Sequence, residues 1–317
     1  MRILLFLSIS SFNLFGYDFD HPKYDLIQNT LIEEHNFSED EVKFIIGQAK
    51  KQQKIIDSMN SPAEFTWTWD KYRKLFIEPK RIKNGKLFIK NNLETLEKAE
   101  AQFGVPKEII TAILGVETRY GKIMGSYKVL DALSTLSFDY PRRSNFFSQE
   151  LISLLLLARE NNLDIFELKG SYAGAMGFGQ FIPSSYRAYA IDFDNDGSVD
   201  LLNSVEDAIG SIANYLFQHG WKSEYPIIWE VDNSFEGYDI TGVINNVRKQ
   251  VNYDSKTMSP IGVSDFDGLN TKVLLLSYET NKSTNYFIGS RNFIAITKYN
   301  VSHFYAKVVH DLAKEFL

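Results

Sequence analysis

Pro106-Lys107-Glu108-Ile109-Ile110-Thr111-Ala112-Ile113-Leu114-Gly115-Val116-Glu117-Thr118-Arg119-Tyr120-Gly121 sets the architecture. Proline opens a helix where its missing amide hydrogen costs nothing, and Gly121 is the expected stop. Ile109, Ile110, Ile113 and Leu114 define one apolar face. Glu117 follows Ile113 by four residues and Leu114 by three, so it projects from that same face. A carboxyl placed there is expected to be desolvated and its pKa raised, because burial penalises the charged form. That suits a general acid for a glycosidic oxygen. The plainer alternative is an ion pair with Arg119 or another base.

Around this helix the pattern is mainly α. Residues 25–59 carry apolar positions at helical spacing, with Ser38-Glu39-Asp40-Glu41 as a capping start. Helical character continues over 67–75 and 91–103. Residues 148–160 contain Leu151, Ile152, Leu154, Leu155, Leu156 and Leu157, too apolar for a surface helix. Residues 205–219 and 300–317 are helical again. Between them Ile227–Val231, Lys272–Tyr278 and Asn285–Gly289 are short β-prone runs, with a turn cluster at Glu279–Thr284.

Two further segments carry chemistry. Gly170–Tyr186 holds four glycines, Ser171 and Gln180, a loop whose backbone can approach a ligand closely. Its glycine spacing fits neither a phosphate loop nor a dinucleotide fingerprint. Neutral amides and hydroxyls suit sugar hydroxyls and N-acetyl groups; a purely structural turn is the alternative. Asp192, Asp194 and Asp196 alternate before Gly197, with Ser198 where a backbone carbonyl ligates and Asp200 in position nine. This is the start of an EF-hand calcium loop. Position twelve is Asn203, not the usual Glu, so Glu206 or Asp207 would have to complete an enlarged site. A solvated acidic turn is the alternative.

The composition is ordinary: 317 residues, 44% hydrophobic, 23% charged and 14% aromatic. The length suggests about two domains. Zero cysteines exclude disulfides, thiolate metal sites and a lipid-modified cysteine, and a net charge of -6 gives no general attraction to nucleic acid. Residues 1–16, one basic residue and then an apolar stretch diluted by serine, have the layout of a secretory leader. They fall short of the ~20 apolar residues of a membrane span. An apolar helix packed on the core is the alternative.

Gly115–Gly121, Leu130–Leu136, Tyr140-Pro141-Arg142-Arg143, Ala173–Tyr186, Ala213-Asn214-Tyr215 and His219-Gly220-Trp221, in this order, resemble the B-type lytic murein transglycosylases. The resemblance runs from about residue 72 to 305 and thins in the β-rich part. It implies a mainly α, lysozyme-like (α+β) catalytic core over 100–222 and a small β-rich insertion over 223–290. It also implies a helical domain built from 17–99 with 291–317. Glu117 becomes the single catalytic acid/base. Ser171, Gln180, Met176 and Tyr215 become cleft residues holding the N-acetylmuramyl unit, with Arg142 and Arg143 at the border. Tyr72, Tyr299, Asn300 and Tyr305 are brought to the same groove. The resemblance further implies structural calcium with an enlarged loop, no organic cofactor, and a periplasmic enzyme acting on peptidoglycan glycan strands. Cell-wall synthases are implied as possible partners. The best-known members are lipoproteins, and this chain has no cysteine to acylate. A lysozyme-type hydrolase and a non-catalytic peptidoglycan-binding scaffold are the competing readings. The hydrolase needs a second positioned carboxylate, such as Asp139.

Overall fold

The computed structural model describes residue 17 and residues 19–60, 67–231, 235, 239–252, 272–280 and 283–317. The leader expected over 1–16 lies outside them, as do Asn281 and Lys282 of the expected turn. Helices in the first half are α1 (Pro22–His35), α2 (Glu39–Gly47), α3 (Gln53–Asn60), α4 (Trp69–Phe76), α5 (Pro79–Asn91), α6 (Leu93–Phe103) and α7 (Lys107–Thr118). After these come α8 (Val129–Asp139), α9 (Ser144–Glu160), α10 (Pro183–Tyr189), α11 (Val205–Gln218), α12 (Arg291–Tyr299) and α13 (His303–Lys314). Strands are β1 (Tyr127–Lys128), β2 (Lys169–Gly170), β3 (Ile228–Val231), β4 (Val251–Asn252), β5 (Lys272–Glu279) and β6 (Thr284–Gly289). The architecture is mainly α with small sheets, as expected.

Contacts group the chain into two compact units, Met1–Asn60 with Tyr127–Gly174, and Ser61–Ser126 with Ala175–Leu317. This grouping cuts the chain at other points than the sequence texture does. In the first unit, α8 packs on α9, and Leu151, Leu154 and Leu157 are fully buried. The single helical pattern of 25–59 becomes three helices. Asn36 takes a left-handed conformation (φ 56°) after α1, and Ser38 Oγ then accepts from Glu41 N at 3.2 Å, the expected cap. β1 and β2 form a short antiparallel ribbon.

In the second unit, α7 is the central element, with α5, α6, α11 and α13 packed around it. Ile110, Ile113 and Leu114 have no exposed surface. The apolar face read from the sequence is therefore the core of this unit. Trp221 donates from Nε1 to the Gly104 carbonyl at 2.7 Å, fastening the end of α11 to that of α6. The later strands form one antiparallel sheet in the order β3-β6-β5-β4. Val231, Phe235, Val273, Leu275 and Ile288 give it a small core of its own.

Helix α13 starts at Ser302, whose Oγ accepts from Tyr305 N at 3.3 Å. Burial pushes the next residue, His303, down to about 4 from an ordinary 6.5. The unfolded chain therefore binds the extra proton first. Stability is unaffected above pH 6.5 and is lost as pH falls from 6.5 to about 4, by up to about 3 kcal/mol. His303→Gln is expected to be less acid-sensitive than the parent in thermal melts at pH 7 and pH 4.5. Parallel losses in the two proteins would show that His303 is not held neutral.

Candidate active site

Glu117 lies in the last turn of α7 and is half-buried. Its Oε1 accepts a hydrogen bond from the Tyr305 hydroxyl at 2.6 Å, across 188 residues of sequence. The Tyr299 ring lies parallel to that of Tyr305, with centroids 6.4 Å apart. Burial first, and the Glu117 carboxylate second, hold the phenols of both tyrosines well above the usual tyrosine value. Both therefore remain protonated. Tyr305 therefore donates to Glu117 and orients its carboxyl group. The Arg119 guanidinium, two residues on, lies 3.7 Å from Glu78.

The helix ends three residues before the glycine expected to stop it. Arg119 and Tyr120 take left-handed conformations (φ 52° and 62°) ahead of Gly121. Such conformations cost roughly 1–3 kcal/mol each in non-glycine residues and persist only where surrounding contacts impose them. Two contacts do so. The Tyr120 hydroxyl, pushed up by burial, donates to the Arg81 carbonyl at 2.8 Å. Thr118 Oγ1 donates to the Phe178 carbonyl at 2.8 Å and accepts from Gly121 N at 2.9 Å. Thr118 thus ties the end of α7 to the glycine-rich loop. Sequence reasoning passed over it; the signal was a small hydroxyl residue beside the acid.

The glycine-rich loop closes on itself through a bridge between Met176 and Phe181. Gly177 (φ 71°) is needed there, because a Cβ would lie 2.2 Å from the Leu201 carbonyl oxygen. Gln180, itself left-handed (φ 52°), donates from Nε2 to the carbonyls of Met124 and Gly177, both at 3.0 Å. The Tyr299 hydroxyl donates to the Gly179 carbonyl at 2.5 Å. Tyr215 donates to the Lys298 carbonyl at 2.6 Å and stacks on His219 at 4.0 Å. Gln180, Phe181, Ser185, Tyr215 and Tyr299 line a cavity of ≈ 110 Å³.

The second unit therefore brings Glu117, Tyr305, Tyr299, Tyr215 and Gln180 together through these contacts. Tyr72 is buried among the rings of Trp67, Trp69, Phe76 and Phe304 and adds to the environment raising Tyr305. Met176, in the backbone bridge to Phe181, is buried. Asn300 is exposed just after α12. Ser171, Arg142 and Arg143 belong to the first unit. Ser171 Oγ accepts from Ala173 N at 3.3 Å, and both arginines are exposed, with Arg143 over the Phe146 ring at 4.2 Å. Asp139, also in the first unit, is ion-paired with Lys51.

The acidic loop fits a divalent cation. Ligating oxygens of Asp192, Asp194 and Asp196 lie within 4.8 Å of one another, the span of oxygens each about 2.4 Å from one calcium ion. Gly197 (φ 94°) makes the sharp turn, and its amide and that of Asp196 donate to Asp192. Ser198 N donates to Asp196 at 2.8 Å. Asp200 is turned to the following backbone, accepting from Leu202 N and Asn203 N. Asp207 is buried. Its Oδ1 accepts from Phe193 N at 2.7 Å and Asp194 N at 3.4 Å, and its Oδ2 from Asp200 N at 2.7 Å. Glu206, one residue earlier on α11, is half-buried.

One acid with a tyrosine partner, beside a glycine-rich loop in a mainly helical frame, defines a lysozyme-like glycan-cleaving class. The family described as Transglycosylase SLT domain matches residues 19–314, and the chain belongs to it. It is 37% identical over 309 residues to membrane-bound lytic murein transglycosylase B of Escherichia coli, covering 94% of this chain and 84% of the relative. The structure of E. coli lytic transglycosylase Slt35 in complex with bulgecin A superposes with a TM-score of 0.84 at 37% identity, covering 95% of each chain. A structure of Slt35 in complex with calcium matches equally well. Soluble lytic transglycosylase SltB1 from Pseudomonas aeruginosa matches with a TM-score of 0.81 at 38% identity, covering 93% of this chain and 98% of that one. The protein is a lytic transglycosylase, a lyase of peptidoglycan.

Proposed function

We propose that Glu117 performs both proton transfers in a non-hydrolytic cleavage of the β-1,4 bond between N-acetylmuramic acid and N-acetylglucosamine. The observation that carries this is the Tyr305–Glu117 hydrogen bond at the end of α7. Protonated Glu117 gives its proton to the leaving glycosidic oxygen while the substrate's own N-acetyl carbonyl closes on C1. The Glu117 carboxylate, now held by Tyr305, takes the proton of the C6 hydroxyl, and O6 attacks C1, displacing the N-acetyl oxygen and restoring the acetamido group. A 1,6-anhydro ring forms, water is not consumed, and Glu117 regains its proton for the next cycle. This route replaces the nucleophile or activated water of ordinary glycosidases with groups of the substrate.

Gln180, Tyr215 and Tyr299 offer neutral partners for sugar hydroxyls and the N-acetyl group. Arg142 and Arg143, exposed cations, suit the anionic lactyl-peptide stems. Asp192, Asp194 and Asp196 would hold calcium, with Glu206 as the candidate further acid. Asp207, whose oxygens take backbone amides, braces the loop. When bound, calcium supplies rigidity to the segment that contacts the glycine-rich loop at Leu201. A peptidoglycan substrate supports a periplasmic location. The E. coli relative is named membrane-bound, whereas this chain has no cysteine to acylate, and no described helix is long and apolar enough to cross a membrane.

Mass spectrometry of products released from purified sacculi tests the reaction. Anhydro-ended muropeptides, lighter by one water than their reducing-end counterparts, are expected. Reducing ends alone would replace this reading with a hydrolase.

A further inference from the structure

The second unit holds another cavity, of ≈ 340 Å³, lined by Trp67, Thr68, Ser277, Glu279, His303 and Phe304 among others. That volume is within the range of small-ligand sites, about 300–1,000 Å³. Its polar groups are short of partners in a particular way. Thr68 occupies the N-cap position of α4, yet its hydroxyl makes no capping hydrogen bond. Ser277 Oγ accepts from Asn245 Nδ2 at 3.0 Å, so its own proton is available to give. Among the described residues, the buried His303 Nδ1 has no hydrogen-bond partner. A buried ring nitrogen left in that state costs free energy that a ligand donor would recover. Glu279 adds an exposed acceptor at the rim.

The walls between these groups are the half-buried rings of Trp67 and Phe304. Aromatic faces with scattered neutral donors and acceptors suit a ring that is apolar on its faces and hydroxylated at its edge. Among the described residues, a phosphate would meet a carboxylate and no lining cation, and an acyl chain would strand the polar groups. We propose that this cavity is a second carbohydrate site, holding an N-acetylhexosamine unit of the glycan strand apart from the bond being cleaved. The ligand class rests on the peptidoglycan reading above. His303 and Phe304 immediately precede Tyr305 on α13, and neighbouring side chains on a helix point about 100° apart. One rigid helix thus presents Tyr305 to Glu117 and the preceding pair to the cavity. A strand gripped there is held by the element that carries the partner of the acid.

The chain has four tryptophans, so 5-fluorotryptophan labelling gives four ¹⁹F resonances, and Trp67→Phe identifies that of Trp67. Titration with tri-N-acetylchitotriose is expected to shift the Trp67 resonance saturably. Ser277→Ala, a small excision that keeps the Asn245 bond to the Ser277 carbonyl, is expected to weaken this binding on the order of 5–10-fold, the value of one hydrogen bond. The same variant should raise KM on sacculi by a similar factor and leave the rate on a short tetrasaccharide substrate unchanged. A Trp67 resonance that does not move would overturn the proposal. Equal losses on sacculi and tetrasaccharide would also overturn it, by making the cavity part of the cleavage groove. The sugar titration reads binding alone, so it stands even if product analysis refutes the anhydro chemistry.

Discussion

Glu117→Gln is expected to lower lysis of sacculi by about 10³-fold or more, with the melting temperature unchanged. Gln has nearly the shape of Glu, and its amide oxygen can still accept from the Tyr305 hydroxyl, now 2.6 Å from Oε1. Packing at the end of α7 is therefore preserved. What disappears is the proton. An amide neither protonates the departing glycosidic oxygen nor receives the C6 hydroxyl proton, so both halves of the cycle fail together. Tyr305→Phe separates positioning from proton transfer. It keeps the acid and removes one charge-assisted hydrogen bond, worth about 1.5–3 kcal/mol. A loss of roughly 10–100-fold follows if the full bond is made in the transition state. Clearing by Glu117→Gln equal to that of the parent in a zymogram would remove Glu117 from its role.

What the sequence disclosed depended on how local each feature is. The α7 face needed only the three- and four-residue spacings from Ile109 to Glu117, and the helix core matches it residue for residue. The turn of the acidic loop was equally local, since Asp192, Asp194, Asp196 and Gly197 are near neighbours in the chain. The end of α7 was misplaced for the opposite reason. Glycine preference governs an isolated helix terminus, but here Tyr120 is drawn to Arg81, and the chain turns early to reach it. Tyr305 meets Glu117 across 188 residues, beyond any periodicity, and only the family resemblance reached it. The acids after the loop were left open between Glu206 and Asp207. The choice depends on where the backbone amides of Phe193 and Asp200 point, which sequence does not encode.

Those amides make Asp207 a residue whose loss should cost the fold heavily. Asp207→Ala is expected to destabilise the protein by about 3–5 kcal/mol. The Phe193 and Asp200 amides, each 2.7 Å from a carboxylate oxygen, would lose their acceptor, at about 1–3 kcal/mol apiece with a charged partner at the upper end. At roughly 2–4 °C per kcal/mol the melting temperature should fall by roughly 10 °C. Asp207→Asn should lose less, because one oxygen survives while its amide group faces an N–H it cannot accept. Calcium is a separate contribution. A cation at 100 times its Kd adds about 2.7 kcal/mol, so chelator should lower the melting temperature of the parent by several degrees. Asp192→Asn with Asp194→Asn should abolish that chelator effect and keep the brace. Asp207→Ala should melt low with calcium and without it. If Asp207→Ala melts with the parent, the brace is not holding the loop; if chelator leaves the parent unchanged, the acidic loop does not hold calcium.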